Sequence, residues 1–200
     1  MKQLGITRFD ELVAHIDALA DAGRKAGVDS EAVKFVALIR QRLVRIHNYL
    51  EGLPPDHSPQ EPIPAKAVAD TDDLMEQFGD VTEAARGAGL SATITHYLHT
   101  ARLRMRFNLR GSGSRRIVSR DEKTGSAELL GPEGTETVEV VDSSAYGVGI
   151  LSEHGVPTNT VVHLTTQEEG RTRRYDCLVV YCEPHRFKYH VGLEIFAIRQ

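Results

Sequence analysis

Apolar residues recur at helical spacing through the first 110 residues, and the pattern stops at Gly111-Ser112-Gly113-Ser114. Beyond that point short runs of Val, Ile, Thr and Tyr alternate with Gly, Pro and Asn. One secondary-structure period cannot span such a change, so a helical part is followed by a β part, and two small domains are expected rather than one large one. Two hundred residues are enough for two small domains. Their expected bounds are 1–110 for a helical module, 111–120 for a basic Gly/Ser/Arg arm, and 121–200 for a β domain.

Within the first body, Thr7 with Asp10 reads as an N-cap signal for a helix carrying Phe9, Leu12, Val13, Ile16 and Leu19 on one face. Asp29 and Ser30 can cap a second helix, whose stripe runs Ala32, Phe35, Val36, Ile39, Leu43, Ile46, Leu50. Val33 and Val44 fall outside that stripe. A helix apolar on two sides is either central to a bundle or part of a self-association surface. The five prolines in LPPDHSPQEPIP make residues 53–64 a loop or linker between two helical pairs. A third helix is expected from Asp70–Asp73 to Gly87 or Gly89, and a fourth from Ser91 to Arg110, with Arg102, Arg106 and Arg110 along a solvated face.

The second body contains six candidate strands: 127–130, 136–141, 148–152, 161–165, 173–183 and 187–197. Short strands joined by hairpins point to a small antiparallel barrel, which closes its own edges. The fold class is therefore α+β, an all-α module followed by a six-stranded antiparallel β-barrel. Cys177 and Cys182 are the two cysteines. Five apart in one strand, they are expected on opposite faces as buried reduced thiols.

Several function classes are disfavoured. No apolar run approaches the ~18 residues that span a bilayer, and the start lacks a signal-peptide core. A cytoplasmic protein with no membrane-inserted segment is expected. His96 and His99 are i, i+3 on a helix but have no third ligand at metal-site spacing. Glu153 and His154 follow a strand without a nucleophile elbow and read as a turn. With no GxxxxGK[ST], strand-fed GxGxxG or HExxH, neither an enzyme nor a metal or organic cofactor is expected.

The charge distribution is more informative. Residues 1–100 hold 10 Lys+Arg against 15 Asp+Glu, whereas residues 101–200 hold 14 against 13. Between Arg102 and Arg120 lie seven arginines and no acid, a local field that attracts phosphate. Arg115, Arg116 and Arg120 lie in RRIVSR, and 22 residues after Arg120 comes Asp142-Ser143-Ser144-Ala145-Tyr146-Gly147, a DxSxxG pattern between two predicted strands.

RRIVSR followed by DSSAYG in a β-rich region resembles the PilZ domain family, over about residues 112–198. The strand His190-Val191-Gly192-Leu193-Glu194-Ile195 resembles that family's closing strand. The resemblance implies a six-stranded barrel that binds cyclic di-GMP. Arg116 and Arg120 match the paired arginines on an arm before the first strand, and Arg115 an additional arginine that helps hold a second nucleotide. Asp142, Ser144 and Gly147 match the second motif. Ser143 departs from the family's usual apolar residue, which bears on local packing.

The chemistry of these residue types suits that ligand. A guanidinium fork meets guanine O6 and N7 bidentately and stacks on the purine plane. Arginine also donates charge-assisted hydrogen bonds to phosphate. A carboxylate such as Asp142 accepts from guanine N1–H and N2–H, Ser144 can serve that edge or a phosphate, and Gly147 allows close approach or positive φ. Each residue also has an ordinary alternative: an Asx or Ser turn, a bulge glycine, a solvated basic linker. The expected function is a cyclic di-GMP receptor or adaptor that passes nucleotide binding from the arm to the helical module or a protein partner, by ordering of the arm. Two rivals are an interaction or dimerisation adaptor that binds no nucleotide, and a nucleic-acid-binding protein using Arg102–Arg120. The second is disfavoured by 6% aromatics, no tryptophan and a net charge of −4.

Overall fold

The computed structural model describes residues 4–58, 67–109, 121–168 and 170–199. By internal contacts the chain divides into two compact units, Met1–Ile117 and Val118–Gln200.

The first unit contains four helices: α1 (Phe9–Lys25), α2 (Ser30–Glu51), α3 (Thr71–Gly87) and α4 (Ala92–Leu109). Short polar side chains begin three of them. Asp29 accepts from the Glu31 N–H at 2.7 Å, Asp70 from the Asp73 N–H at 2.9 Å, and Ser91 from the Ile94 N–H at 3.3 Å. At α1 the expected Thr7–Asp10 pairing is replaced by Glu11, whose carboxylate accepts the N–H groups of Thr7 and Arg8 at 2.6 and 3.1 Å. Those bonds hold the Glu11 carboxyl below its ordinary pKa, the Thr7 N–H contributing most.

α2 packs against both α1 and α4, and α3 likewise touches α1 and α4. This arrangement accounts for the two-sided apolar surface of α2, because Val33 and Val44 are buried together with Val36, Ile39, Leu43 and Ile46. The second apolar side is used inside the bundle. After Gly52 ends α2 with φ of 65°, the Asn48 amide donates to the carbonyls of Pro54 at 3.0 Å and His57 at 2.7 Å. A buried side chain thus fastens the first half of the proline-rich segment to the helix.

Arg102 departs from the solvated face expected of it. Its guanidinium lies against Gly79 of α3, where a Cβ would stand 2.7 Å from Nη2, and Nη1 donates to Glu83 Oε1 at 3.3 Å. Glycine in mid-helix opens the space for that cross-helix contact. His96 and His99 are exposed, as solvated histidines would be.

The second unit is a closed antiparallel barrel in the order β1-β2-β3-β6-β5-β4, with β4 pairing back to β1. Its strands are β1 (Asp121–Gly131), β2 (Gly134–Ser144), β3 (Gly147–Ser152), β4 (Val161–Glu168), β5 (Arg171–His185) and β6 (Lys188–Arg199). Phe187, expected to open the last strand, instead lies in the turn before it. Alternate residues fill the interior, among them Leu129, Val138, Val140, Ile150, Val179 and Leu193.

Among the barrel's register shifts, two β-bulges decide how the residues after Val141 on β2 and after Val180 on β5 face that interior. On β2 the rung Val140–Ile150 is succeeded by Asp142–Gly149, so Val141 is an extra residue. On β5 the rung Val179–Leu193 is succeeded by Tyr181–Gly192, so Val180 is extra. Each insertion reverses the in–out parity of the residues C-terminal to it. Cys182 therefore returns to the face of Cys177 and packs against the barrel core, not on the opposite face expected from a regular strand. Both thiols are free, Cys182 being half-buried. Burial, with the Asp176 charge beside it, pushes the Cys177 thiol far above its ordinary pKa.

Outside the wall, Asp176 is only 2% exposed and bridges two strands. One oxygen meets His163 Nδ1 of β4 at 2.8 Å, and the other accepts from Arg199 Nε of β6 at 2.8 Å. A carboxylate this buried requires such partners.

Candidate functional site

The β2–β3 hairpin turns through two residues, Ala145 and Tyr146, between the rung partners Ser144 and Gly147. Ser144 builds this turn. Its hydroxyl accepts the Tyr146 N–H at 3.3 Å and donates to the Gly147 carbonyl at 3.4 Å. The Tyr146 carbonyl accepts the Ile195 N–H at 3.0 Å, which ties the turn to β6. Gly147 is absent from the glycines with positive φ, so positive φ is not why glycine stands there.

Without the Val141 bulge, Asp142 and Ser144 would continue the inward series of Val138 and Val140. With it they share rungs with Gly149 and Gly147, whose neighbours Val148 and Ile150 point into the core. Asp142 and Ser144 consequently lie on the outer face, and Ser143 takes the inward rung opposite Val148. This is where the family pattern has its apolar residue.

Two successive outer rungs define the site. The first runs Asp142, Gly149, Gly192, Tyr181 across β2, β3, β6 and β5, and the second runs Ser144, Gly147, Glu194, Leu178. Gly149, Gly192 and Gly147 thus place no side chain of their own on the lane beside the Asp142 carboxylate and the Ser144 hydroxyl, and all three are buried. At the far end of the lane the Tyr181 ring covers Gly192, closely enough that any Cβ at 192 would collide with it. The Tyr181 hydroxyl lies 3.3 Å from His190 Nε2, and the two rings meet edge-on at 5.3 Å. Glu194, 4% exposed, is a second carboxylate on the same face.

The face therefore sets carboxylates, which accept N–H donors, beside backbone that carries no Cβ at Gly147 and Gly149. Gly149, Gly192, Tyr181 and Glu194 are not singled out by the sequence motifs as parts of it. The available signal is the isolated glycine inside an otherwise β-branched strand, seen at both 149 and 192. Asp142, Ser144 and Gly147 are brought together. Arg115, Arg116 and Arg120, with the rest of the 111–120 arm, lie outside the described residues.

Other constellations offer no comparable chemistry. Ser152, Glu136 and His154 are close, but Ser152 Oγ is directed at the Glu136 carboxylate at 2.5 Å and the His154 carbonyl at 2.6 Å. His154 Nδ1 reaches Glu136, not the serine hydroxyl. The group lacks the nucleophile–base contact of a catalytic triad and stabilises the bend at 153–154, as expected for a turn. Among the described residues, no three His, Cys, Asp or Glu side chains are placed to hold a metal ion. A depression of about 320 Å³ lined by Ser126, Glu128, Thr135, Thr137 and Thr165 lies on the β1–β2–β4 wall, away from the hairpin.

No family model and no curated protein matches the chain. Solved structures do. The Bacillus subtilis inhibitor of motility (MotI/DgrA) is 19% identical over 43% of this chain and 44% of its own, with a TM-score of 0.37. The PilZ domain of CeSA from a cellulose synthesizing bacterium is 15% identical over 38% of this chain and 80% of its own, with a TM-score of 0.33. The match spans under half of the first protein's length. The architecture itself is four helices followed by a closed six-stranded antiparallel barrel, the kind of barrel that the resemblance to the PilZ family implies.

Proposed function

We propose that this chain is a cyclic di-GMP receptor. One observation carries the reading: the Val141 bulge turns Asp142 and Ser144 outward onto a glycine lane, in the chain whose preceding arm supplies Arg115, Arg116 and Arg120. In this reading Asp142 accepts from the N1–H and N2–H edge of guanine. Arg116 and Arg120 fork onto O6 and N7 or onto phosphate, and Arg115 helps hold a second nucleotide. The ligand's flat rings lie along Gly147 and Gly149, where no Cβ intervenes. The protein acts as a sensor or adaptor and carries out no catalysis. The arm is continuous in sequence with α4, so ordering the arm over the ligand would be felt by the helical unit or by a protein bound to it.

Calorimetric titration of the full chain with cyclic di-GMP tests this. Arg116→Ala and Asp142→Ala should each weaken binding by roughly ten- to hundredfold, the worth of a charge-assisted or bidentate contact. Asp142→Ala should also narrow the preference for the guanine over the adenine dinucleotide. A parent protein that gives no heat with cyclic di-GMP would leave the barrel as an interaction module and end the receptor reading.

A further inference from the structure

β5 and β6, 15 and 12 residues long, are joined by a turn of only Arg186 and Phe187, with His185 and Lys188 as the closing rung. β4 and the Asn159–Thr160 segment before it accompany β5 only as far as Val179, and β3 accompanies β6 only as far as Ser152–Tyr189. The end of this hairpin therefore stands clear of the sheet. Phe187 is 100% exposed at its tip. Tyr189, 36% exposed, rests its ring against Gly155, where a Cβ would be 3.4 Å away. From Pro184 to His190 the residues are Pro-His-Arg-Phe-Lys-Tyr-His, with cations flanking the phenylalanine and no acid. Glu183 and Glu153 lie at the base of the hairpin, level with His190 and just past the Tyr189 rung.

The exposure does not serve folding, and although positive φ suits a two-residue hairpin turn, the residue placed there is unusual. A fully exposed phenyl ring contributes no burial, and Arg186 holds φ of 55°, a region that two-residue turns normally give to Gly, Asn or Asp. A non-glycine residue kept at positive φ, presenting an aromatic ring between two cations, is an outlier that points to use. The chain as a whole carries −4, so this cationic tip is local.

We propose that the β5–β6 hairpin tip is a peripheral contact for an anionic phospholipid surface. The Phe187 ring enters the boundary between headgroups and acyl chains, and Arg186 and Lys188 meet lipid phosphates. A narrow convex tip favours this occupant over an acidic protein groove, because a specific protein interface needs about 800 Å² from each partner. A fluid bilayer accepts a single prong. The turn's backbone polar groups must stay in the hydrated headgroup layer, which limits entry to the ring. No described helix is long and apolar enough to cross a membrane, so the contact is superficial and reversible. It lies at the Ser152 end of β3, about 17 Å by strand rise from the Gly147 end that carries the proposed nucleotide site.

Co-sedimentation of the full chain with vesicles of equal parts phosphatidylglycerol and phosphatidylcholine, against phosphatidylcholine alone, tests the proposal. Partitioning should require phosphatidylglycerol and fall about tenfold in Phe187→Ala, a partial loss of the value of burying a phenyl ring. Arg186→Ala and Lys188→Ala should each lower it about fivefold. The chain has no tryptophan, so Phe187→Trp installs a single reporter at an exposed position. Its emission should shift to the blue on phosphatidylglycerol vesicles only. An unmoved emission overturns the proposal. So does absence of binding, which would direct attention to an acidic protein groove, or binding that Phe187→Ala leaves unchanged, which would assign it to cations elsewhere in the chain.

Discussion

Each unit contains a glycine over which a larger side chain lies flat, and the two beds differ in what they hold. Gly79 of α3 accommodates the Arg102 guanidinium, the far end of a flexible chain that is 30% exposed and paired with Glu83. Gly192 of β6 accommodates the Tyr181 ring, which is stiff, half-buried, and within hydrogen-bond distance of His190. The same missing Cβ therefore has unequal consequences. In the bundle the covering group is the end of a flexible chain that can swing away, whereas in the barrel it is a rigid ring that moves only as a whole and gives up its His190 contact when it does.

The largest effect expected from this contrast is at position 192. Gly192→Ala should destabilise the barrel by about 1–3 kcal/mol through overpacking, read as a lower midpoint in a denaturant titration. Adding Tyr181→Ala to that variant should recover most of the loss. Failure to recover would mean that Gly192 is needed by the backbone and not by the ring.

A smaller, pH-dependent effect should appear in the helical unit. His47 stacks on Phe9 with ring centroids 3.7 Å apart, and burial lowers its pKa below the ordinary 6.5, against the opposing pull of Glu51 and Asp10. His15 is lowered for the same reason, against Glu11. A lowered imidazole pKa means that the unfolded chain binds the proton more tightly. Stability is then fully present above 6.5 and is lost as pH falls through the folded-state value. Thermal melts monitored by helical ellipticity should show this acid loss, and His47→Phe should reduce it. A profile flat between about pH 7.5 and pH 5 would contradict the burial argument.

Smallest of all should be Gly79→Ala. Replacing a mid-helix glycine favours the helix by about 1 kcal/mol, while displacing Arg102 from Glu83 costs a similar or lesser amount for a partly exposed pair. The net change should lie within about 1 kcal/mol of zero in the same titration. A loss as large as that at Gly192 would erase the distinction between the two beds.

Much of this architecture is legible in the sequence. Helix ends at Asp29, Asp70 and Ser91 arise from side chains that can accept a backbone N–H two or three residues on, a strictly local property. Residues 121–126 of β1 are harder to read, since DEKTGS has no apolar alternation and is held as strand by pairing with β2. The partner of Thr7 at the start of α1 shifts by one position because Asp10 and Glu11 are both acidic, and only geometry shows which reaches back. At the candidate site, the order and spacing of DSSAYG after RRIVSR are visible from the motifs alone. Which neighbours share its face is not.

The sequence by itself determined a helical body followed by a β body and the number of elements in each, because helical and strand periodicities are short-range, and its motifs marked Asp142, Ser144 and Gly147 as candidates. Tertiary structure decided where those residues point. One extra residue at Val141 and another at Val180 exist only relative to the partner strand, and each reverses the side-chain parity of the rest of its strand. That reversal puts Asp142 and Ser144 outside the barrel and Cys182 against its core.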